Sequence, residues 1–221
     1  MRIIINSREQ APFTFKGYNV DKMGADRPGL LEPPTTRITR LAGANKGGSM
    51  RILIDSREQA PYLFRGFDVE TEVMALPIGD YSLPGFTDEV AIERKELNDL
   101  ISCLMNGNRD RFERELAKAR YFDLFAVVVE APFSAVLRGQ YRSEMKTQAA
   151  LQSILTFQVR YGVAFVWAGN RADAEYIVHG LLSKYLREIG ERFKMATKGQ
   201  EDKGQGSGIR DQGKTKNQKP N

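Results

Sequence analysis

The chain has 221 residues, with 33 Lys/Arg against 28 Asp/Glu, one cysteine and one histidine. That length suits one domain plus flanks, and no apolar run reaches the length of a membrane span. The N-terminus lacks a secretory h-region, and a lone Cys103 excludes both an intramolecular disulfide and a thiolate zinc site, so a cytoplasmic location is the default expectation. The net charge of +5 resides at the ends: residues 1–49 and 194–221 are each net +4, whereas residues 50–193 are net −3. Basicity alone therefore does not mark a nucleic-acid surface.

Residues 1–20 repeat residues 50–69, with 13 of 20 positions identical. Asn6 stands where the second copy has Asp55, and an amide is a poorer ligand for a hard cation than a carboxylate. Similarity fades near Val20 into Pro- and Gly-rich sequence that runs to Ser49. Residues 1–49 are therefore expected to be a poorly ordered partial duplicate plus linker, a relic of duplication joined to a complete unit beginning at Met50. Lys46-Gly47-Gly48 fits a coding run resembling a ribosome-binding site before Met50. A competing reading has the first copy displace Arg51–Asp55 and switch the protein off. Residues 50–193 are expected to be the folded domain, and 194–221, rich in Gly, Gln, Lys and Asp, a disordered basic tail with a loose, salt-sensitive hold on nucleic acid.

Within the domain, alternation and turn residues predict a strand over 51–55, an irregular segment through Pro61, and strands over 69–73, 78–83 and 90–94, the last two joined at Pro84-Gly85. A helix is expected over 97–104, a turn at Asn106-Gly107-Asn108, and a helix over 110–121. The nearly continuous apolar run 125–130 reads as a central strand. A helix over 144–161, a strand over 163–167 and a helix over 172–193 complete an α/β core of about 140 residues. Leu181, Leu182, Tyr185, Leu186 and Ile189 form either a dimer face or a face packed on the sheet. Cys103, in an apolar helix, reads as a small hydrophobe rather than a reactive thiol; His179 reads as structural or exposed.

The chemistry concentrates in Ile78-Gly79-Asp80-Tyr81, then Ile92-Glu93-Arg94-Lys95, then Asp99. Strand alternation sets Glu93 and Lys95 on one face and Arg94 on the other. With Asp80 on or beside the neighbouring strand, its carboxylate meets that of Glu93 across the hairpin. Such a pair suits Mg²⁺ or Mn²⁺, which take one or two carboxylates and keep several waters. The ion activates water and offsets charge on a pentavalent phosphate, while Lys95 orients the water or neutralises the developing anion. Taken alone, the Asp…Glu-x-Lys pattern fits a solvated edge strand equally well. Downstream, Arg109 and Arg111 begin a basic cluster that either touches phosphate or pairs within its helix with Glu113 and Glu115.

Gly79-Asp80, Glu93-Arg94-Lys95 and Asp99 together resemble the signature of the XPF-type structure-specific nucleases, which include archaeal Hef. Ile52-Leu53-Ile54-Asp55-Ser56-Arg57-Glu58 is similar to that family's first strand, and Asn106-Gly107-Asn108-Arg109 to its downstream turn. The resemblance covers about residues 50 to 190 and implies a restriction-endonuclease-like core, a central mixed sheet flanked by helices. It implies Asp55, Asp80 and Glu93 as metal-facing carboxylates and Lys95 as the catalytic lysine. Arg57, Glu58, Arg94 and Asp99 become supporting residues, or members of an ion-pair network that only holds the site together. The implied function is a Mg²⁺- or Mn²⁺-dependent endonuclease cutting branched or flapped DNA in repair, recombination or mobile-element replication. A homodimer and a recruiting helicase or loader are the partners it suggests. The alternative is a catalytically silent DNA-binding or scaffolding subunit. Many relatives carry a tandem helix-hairpin-helix module after the nuclease, and nothing in this sequence encodes one.

Overall fold

Central strands need apolar side chains on both faces, and two segments here supply them. The computed structural model describes residues 34–46 and 48–204; the duplicate strand at residues 1–20 and the end of the tail lie outside that range. Its elements are α1 (Pro34–Ala44), β1 (Asn45–Lys46), β2 (Ser49–Asp55), β3 (Val69–Met74), β4 (Tyr81–Ser82), β5 (Val90–Lys95), α2 (Leu97–Cys103), α3 (Asn106–Ala119), β6 (Leu124–Val129), α4 (Phe133–Leu137), α5 (Thr147–Tyr161), β7 (Ala164–Trp167) and α6 (Arg171–Gly204). The strands form one mixed sheet in the order β1-β2-β4-β5-β6-β7, with β3 also paired to β2. β5, β6 and β7 run parallel to one another, and β4 joins β5 and β2 antiparallel. The expected α/β sheet flanked by helices is what the chain forms.

Side-chain alternation divides the interior into two cores. Ala91, Val127 and Val129 face one core, closed by Leu100 of α2, Leu116 of α3, and Ile154 and Phe157 of α5. Ile92, Ala126 and Val128 face the other, closed by Tyr62 and Phe64 of the β2–β3 connection and by Leu182 and Ile189 of α6. Leu181, Tyr185 and Leu186 pack against this second core too, so the proposed dimer face of the last helix is a sheet-covering face.

Several boundaries differ from expectation, each for a local reason. The stretch read as linker before Met50 contains α1, which opens with Pro34 at a position where the missing N–H costs nothing. Ala44 at its end is fully buried, and Arg40 Nη1 donates to Glu89 Oε1 at 2.7 Å. The strand expected over 78–83 shrinks to Tyr81–Ser82 because Gly79, at φ +74°, breaks the extended run. Asn106-Gly107-Asn108 is the first turn of α3 rather than a separate loop, with Asn106 at φ +49° where the chain turns from the end of α2 at Cys103 into α3. α5 starts at Thr147 because Lys146 is extended, and it stops at Gly162, whose left-handed conformation lets its N–H cap Gln158 O. α6 runs to Gly204, beyond the expected stop at Phe193. Among the described residues no helix is long and apolar enough to cross a membrane.

Candidate active site

The hairpin of β4 and β5 positions the acidic pair. Tyr81 is aligned with Ile92, and Asp80, one residue earlier, donates its N–H to Ile92 O at 2.8 Å and accepts at its own carbonyl from Asp55 N at 2.8 Å. Gly79 makes this approach possible. A Cβ there would lie 3.0 Å from Ala91 Cβ and 3.1 Å from Ile92 O, on a backbone of positive φ. Asp80 Oδ2 accepts from Arg94 N at 2.7 Å. Glu93, almost fully buried, accepts from Lys95 Nζ on the same strand face. Arg94 points the other way, as alternation requires, and donates to both oxygens of Glu130 at 2.7 and 2.9 Å.

Asp55, Arg57, Glu58, Asp80, Glu93, Arg94, Lys95, Asp99 and Arg111 all line one open cleft of about 820 Å³. Their presentations differ. Asp55 is buried, and both oxygens are engaged: Oδ1 accepts from Arg57 N and Nε, Oδ2 from Arg57 Nη2 and Leu76 N, all within 2.7 to 2.9 Å. A carboxylate offers about four acceptor sites, so Asp55 here ties the end of β2 to the segment entering the hairpin. Glu58 Oε1 accepts from Ala60 N at 2.6 Å and Arg94 Nη1 at 3.5 Å. Asp99, in the first turn of α2, is exposed at the cleft wall. Arg109 is not among the lining residues. It pairs with Glu113 at 2.9 Å, bonds Ser153 Oγ at 3.1 Å and stacks over Phe157 at 4.7 Å, which makes it a brace between α3 and α5. Arg111 faces the cleft and Arg109 does not.

Electrostatics single out the same spot. Burial and the facing Glu93 push Asp80 up to about 8. Glu115 is raised to about 7 by burial and by its contact with Glu93. Lys95 is largely withdrawn from water, which lowers the pKa of an ammonium, yet the Glu93 carboxylate beside it wins and holds it above its ordinary value. Cys103 also lines the cleft, and burial raises its thiol, as a reading of it as unreactive requires. His179 lies elsewhere, stacked on Phe67 at 4.0 Å.

Two groups escaped sequence reasoning. Sequence offers Glu113 and Glu115 alike as helix-pairing charges; Glu113 pairs with Arg109, whereas Glu115 lies one turn beyond Arg111 on the cleft side of the buried Phe112–Leu116 stripe. Glu130 closes an otherwise apolar strand and receives Arg94, Tyr62 Oη at 2.8 Å and Arg171 Nη1 at 3.1 Å. A lone acid at the end of β6 was the available signal.

Among the described residues no three His, Cys, Asp or Glu side chains converge as a ready-made metal cluster. The donor set nevertheless fits a hard divalent cation. Mg²⁺ takes one or two carboxylates and keeps its waters, and Asp80 and Glu115, raised by burial and then by the neighbouring Glu93 charge, are acids that a cation would favour in their ionised form.

The ERCC4 domain model matches residues 54–181. DNA repair endonuclease XPF of Cricetulus griseus is 34% identical over 82 residues, 35% of this chain and 8% of that protein. The Mus musculus protein of the same description matches at 34% over 82 residues, again 8% of its length. XPF from Aeropyrum pernix has a similar fold, with a TM-score of 0.51 at 19% identity over 66% of this chain and 69% of that one. The same protein in complex with DNA gives 0.50 at 21% identity, over 62% and 66%.

Proposed function

Because the chain belongs to the ERCC4 domain family, we propose that it is a divalent-metal-dependent endonuclease that cuts branched or flapped DNA in repair, recombination or mobile-element replication. The observation that carries this reading is the Asp80–Glu93 pair facing each other across the hairpin in a cleft with Lys95 beside it, where burial and then the Glu93 charge raise Asp80 to about 8.

Asp80 and Glu93 would hold Mg²⁺ or Mn²⁺, which when bound supplies Lewis-acid polarisation of the phosphate and a more acidic water. Lys95 stays an ammonium at neutral pH, so its role is to attract the phosphate and neutralise developing negative charge, not to accept a proton. Arg111 and Arg57 flank the cleft as phosphate-holding cations. Asp55 acts as a clamp on Arg57 and Leu76, and Arg94 fixes Asp80 through its backbone N–H. Asp99 and Glu58 act from the cleft walls. A helicase or loader that brings the enzyme to its substrate belongs to the same proposal.

Labelled flap, fork, Holliday-junction and linear DNA, incubated with Mg²⁺ or Mn²⁺, test it directly. Cleavage of the branched forms is expected, with its loss in Asp80→Ala and Glu93→Ala. Retained metal-dependent cutting by Glu93→Ala would sink the mechanism. Binding by the wild-type protein without any cutting would make it a silent DNA-binding subunit.

A further inference from the structure

Trp167, the single tryptophan of the chain, is aligned with Val129, which is itself aligned with Lys95. Residues paired in register project to the same face of a sheet, and neighbouring strands lie about 4.8 Å apart. The Trp167 backbone therefore lies roughly 10 Å from that of Lys95, at the same ends of the parallel strands and on the face that carries Glu93.

Phe133 of α4 packs edge-on against Trp167, with ring centroids 5.2 Å apart and planes at 63°. It is 38% exposed, and Leu137, one turn further along α4, is 52% exposed. Cations border this apolar patch. Exposed Arg138 follows Leu137 directly. The backbone N–H of exposed Arg142 donates to Asn98 Oδ1 at 3.0 Å, next to Asp99 in α2.

We infer that Trp167, Phe133 and Leu137 form a base-stacking subsite for an unpaired nucleotide adjoining the phosphate held at the cleft. The inference rests on the endonuclease reading and extends it to the form of the substrate. Aromatic faces bordered by cations hold successive bases and phosphates of a single strand without regard to sequence. Bases within a duplex are already stacked and cannot offer their faces, so the occupant is unpaired. The flanking arginines complement a phosphate backbone, and the patch continues the catalytic face along the same strand ends.

Trp167 reports its own occupancy. The full-length protein is titrated in EDTA, which prevents cutting, with oligo-dT or with a blunt, fully paired duplex. Tryptophan emission is followed together with the anisotropy of labelled DNA. Oligo-dT is expected to quench Trp167 while the duplex leaves it unchanged. Phe133→Ala is expected to weaken oligo-dT binding about tenfold, as loss of one stacked base implies, with duplex affinity unaltered. Oligo-dT binding that leaves the emission unchanged overturns the subsite and spares the cleft. An emission shift that follows protein concentration without DNA assigns the patch to a second copy of the chain and overturns it as well. Failure to bind any DNA overturns the endonuclease reading together with the subsite.

Discussion

The backbone N–H of Arg94 donates to Asp80 Oδ2 at 2.7 Å. The strand that presents Glu93 on one face therefore also holds the opposing carboxylate in place. Glu130 grips the Arg94 side chain from the far side of the sheet, and Tyr62, which donates to Glu130, stacks on Tyr81 with centroids 5.1 Å apart. The acidic pair is thus fixed by a strand, a hairpin and a buried ion pair acting together. Two carboxylates that repel each other stay adjacent because their backbones are locked in the same ladder.

Gly79→Ala should break that arrangement at its tightest point. The added Cβ meets backbone and Cβ atoms of β5 at 3.0 to 3.1 Å on a residue of positive φ, so neither partner can rotate away. Overpacking and left-handed strain together suggest a loss of about 2–4 kcal/mol. Urea unfolding should show a lowered midpoint with an unchanged slope, and cleavage should vanish. A fully stable, active variant would show that the hairpin tolerates a different approach.

Neutralising the two acids should move stability in opposite directions. In EDTA near neutral pH, Asp80→Asn removes a carboxylate that Glu93 opposes, so the melting temperature should rise. Glu93→Gln takes the partner from Lys95, whose side chain is 18% exposed, and leaves that ammonium poorly compensated, at a cost of about 2 kcal/mol. Both variants should lose cutting. Thermal unfolding in EDTA distinguishes this from a site in which the two acids are interchangeable.

Metal-free stability should fall with rising pH. Asp80 sits at about 8 when folded against an ordinary 3.8, and Glu115 at about 7 against 4.5. Between these limits the native state holds more protons than the unfolded chain, so the slope of unfolding free energy with pH is negative. Asp55 and Glu130, both lowered, act with the opposite sign, but their contributions are complete above the ordinary carboxylate range. From about pH 5 to about pH 8 the melting temperature in EDTA should therefore decline. Mn²⁺ should restore it, more at the alkaline end, where the carboxylates are free to bind. A flat or rising curve in EDTA would contradict the crowded-acid account.

Legibility from sequence followed the scale of the interaction. The strand carrying Glu93 and Lys95 and the short one just after Asp80 show in alternation and apolar content, because burial on a sheet leaves a period-two record. The division of Glu93 and Lys95 from Arg94 follows from the same periodicity, whereas Asp99, on a helix, is picked out only by the resemblance to the family signature. What stayed hidden depended on contacts between distant segments. Nothing local to Asp55 reveals that Leu76, twenty-one positions away, and the nearby Arg57 donate to its oxygens. Glu115 and Glu113 are indistinguishable by composition, and only the packing of Phe112 and Leu116 decides which one turns into the cleft. α4 is too short, and α1 too embedded in Pro- and Gly-rich sequence, to show a helical period.

The two arginines that open α3 should separate cleanly when replaced. Arg111 is exposed in the cleft, so Arg111→Ala should weaken DNA binding across sequences and reduce the steepness of the salt dependence by about one phosphate contact, with little change in melting temperature. Arg109 braces α3 against α5 through Ser153 and Phe157. Arg109→Ala should therefore cost about 1–2 kcal/mol of stability through the lost stacking and hydrogen bonds, and leave the salt slope alone. DNA anisotropy across a salt series, paired with urea unfolding, measures both quantities for each variant. If Arg109→Ala flattened the salt dependence instead, the brace would have to open in solution and deliver its guanidinium to the backbone of the DNA.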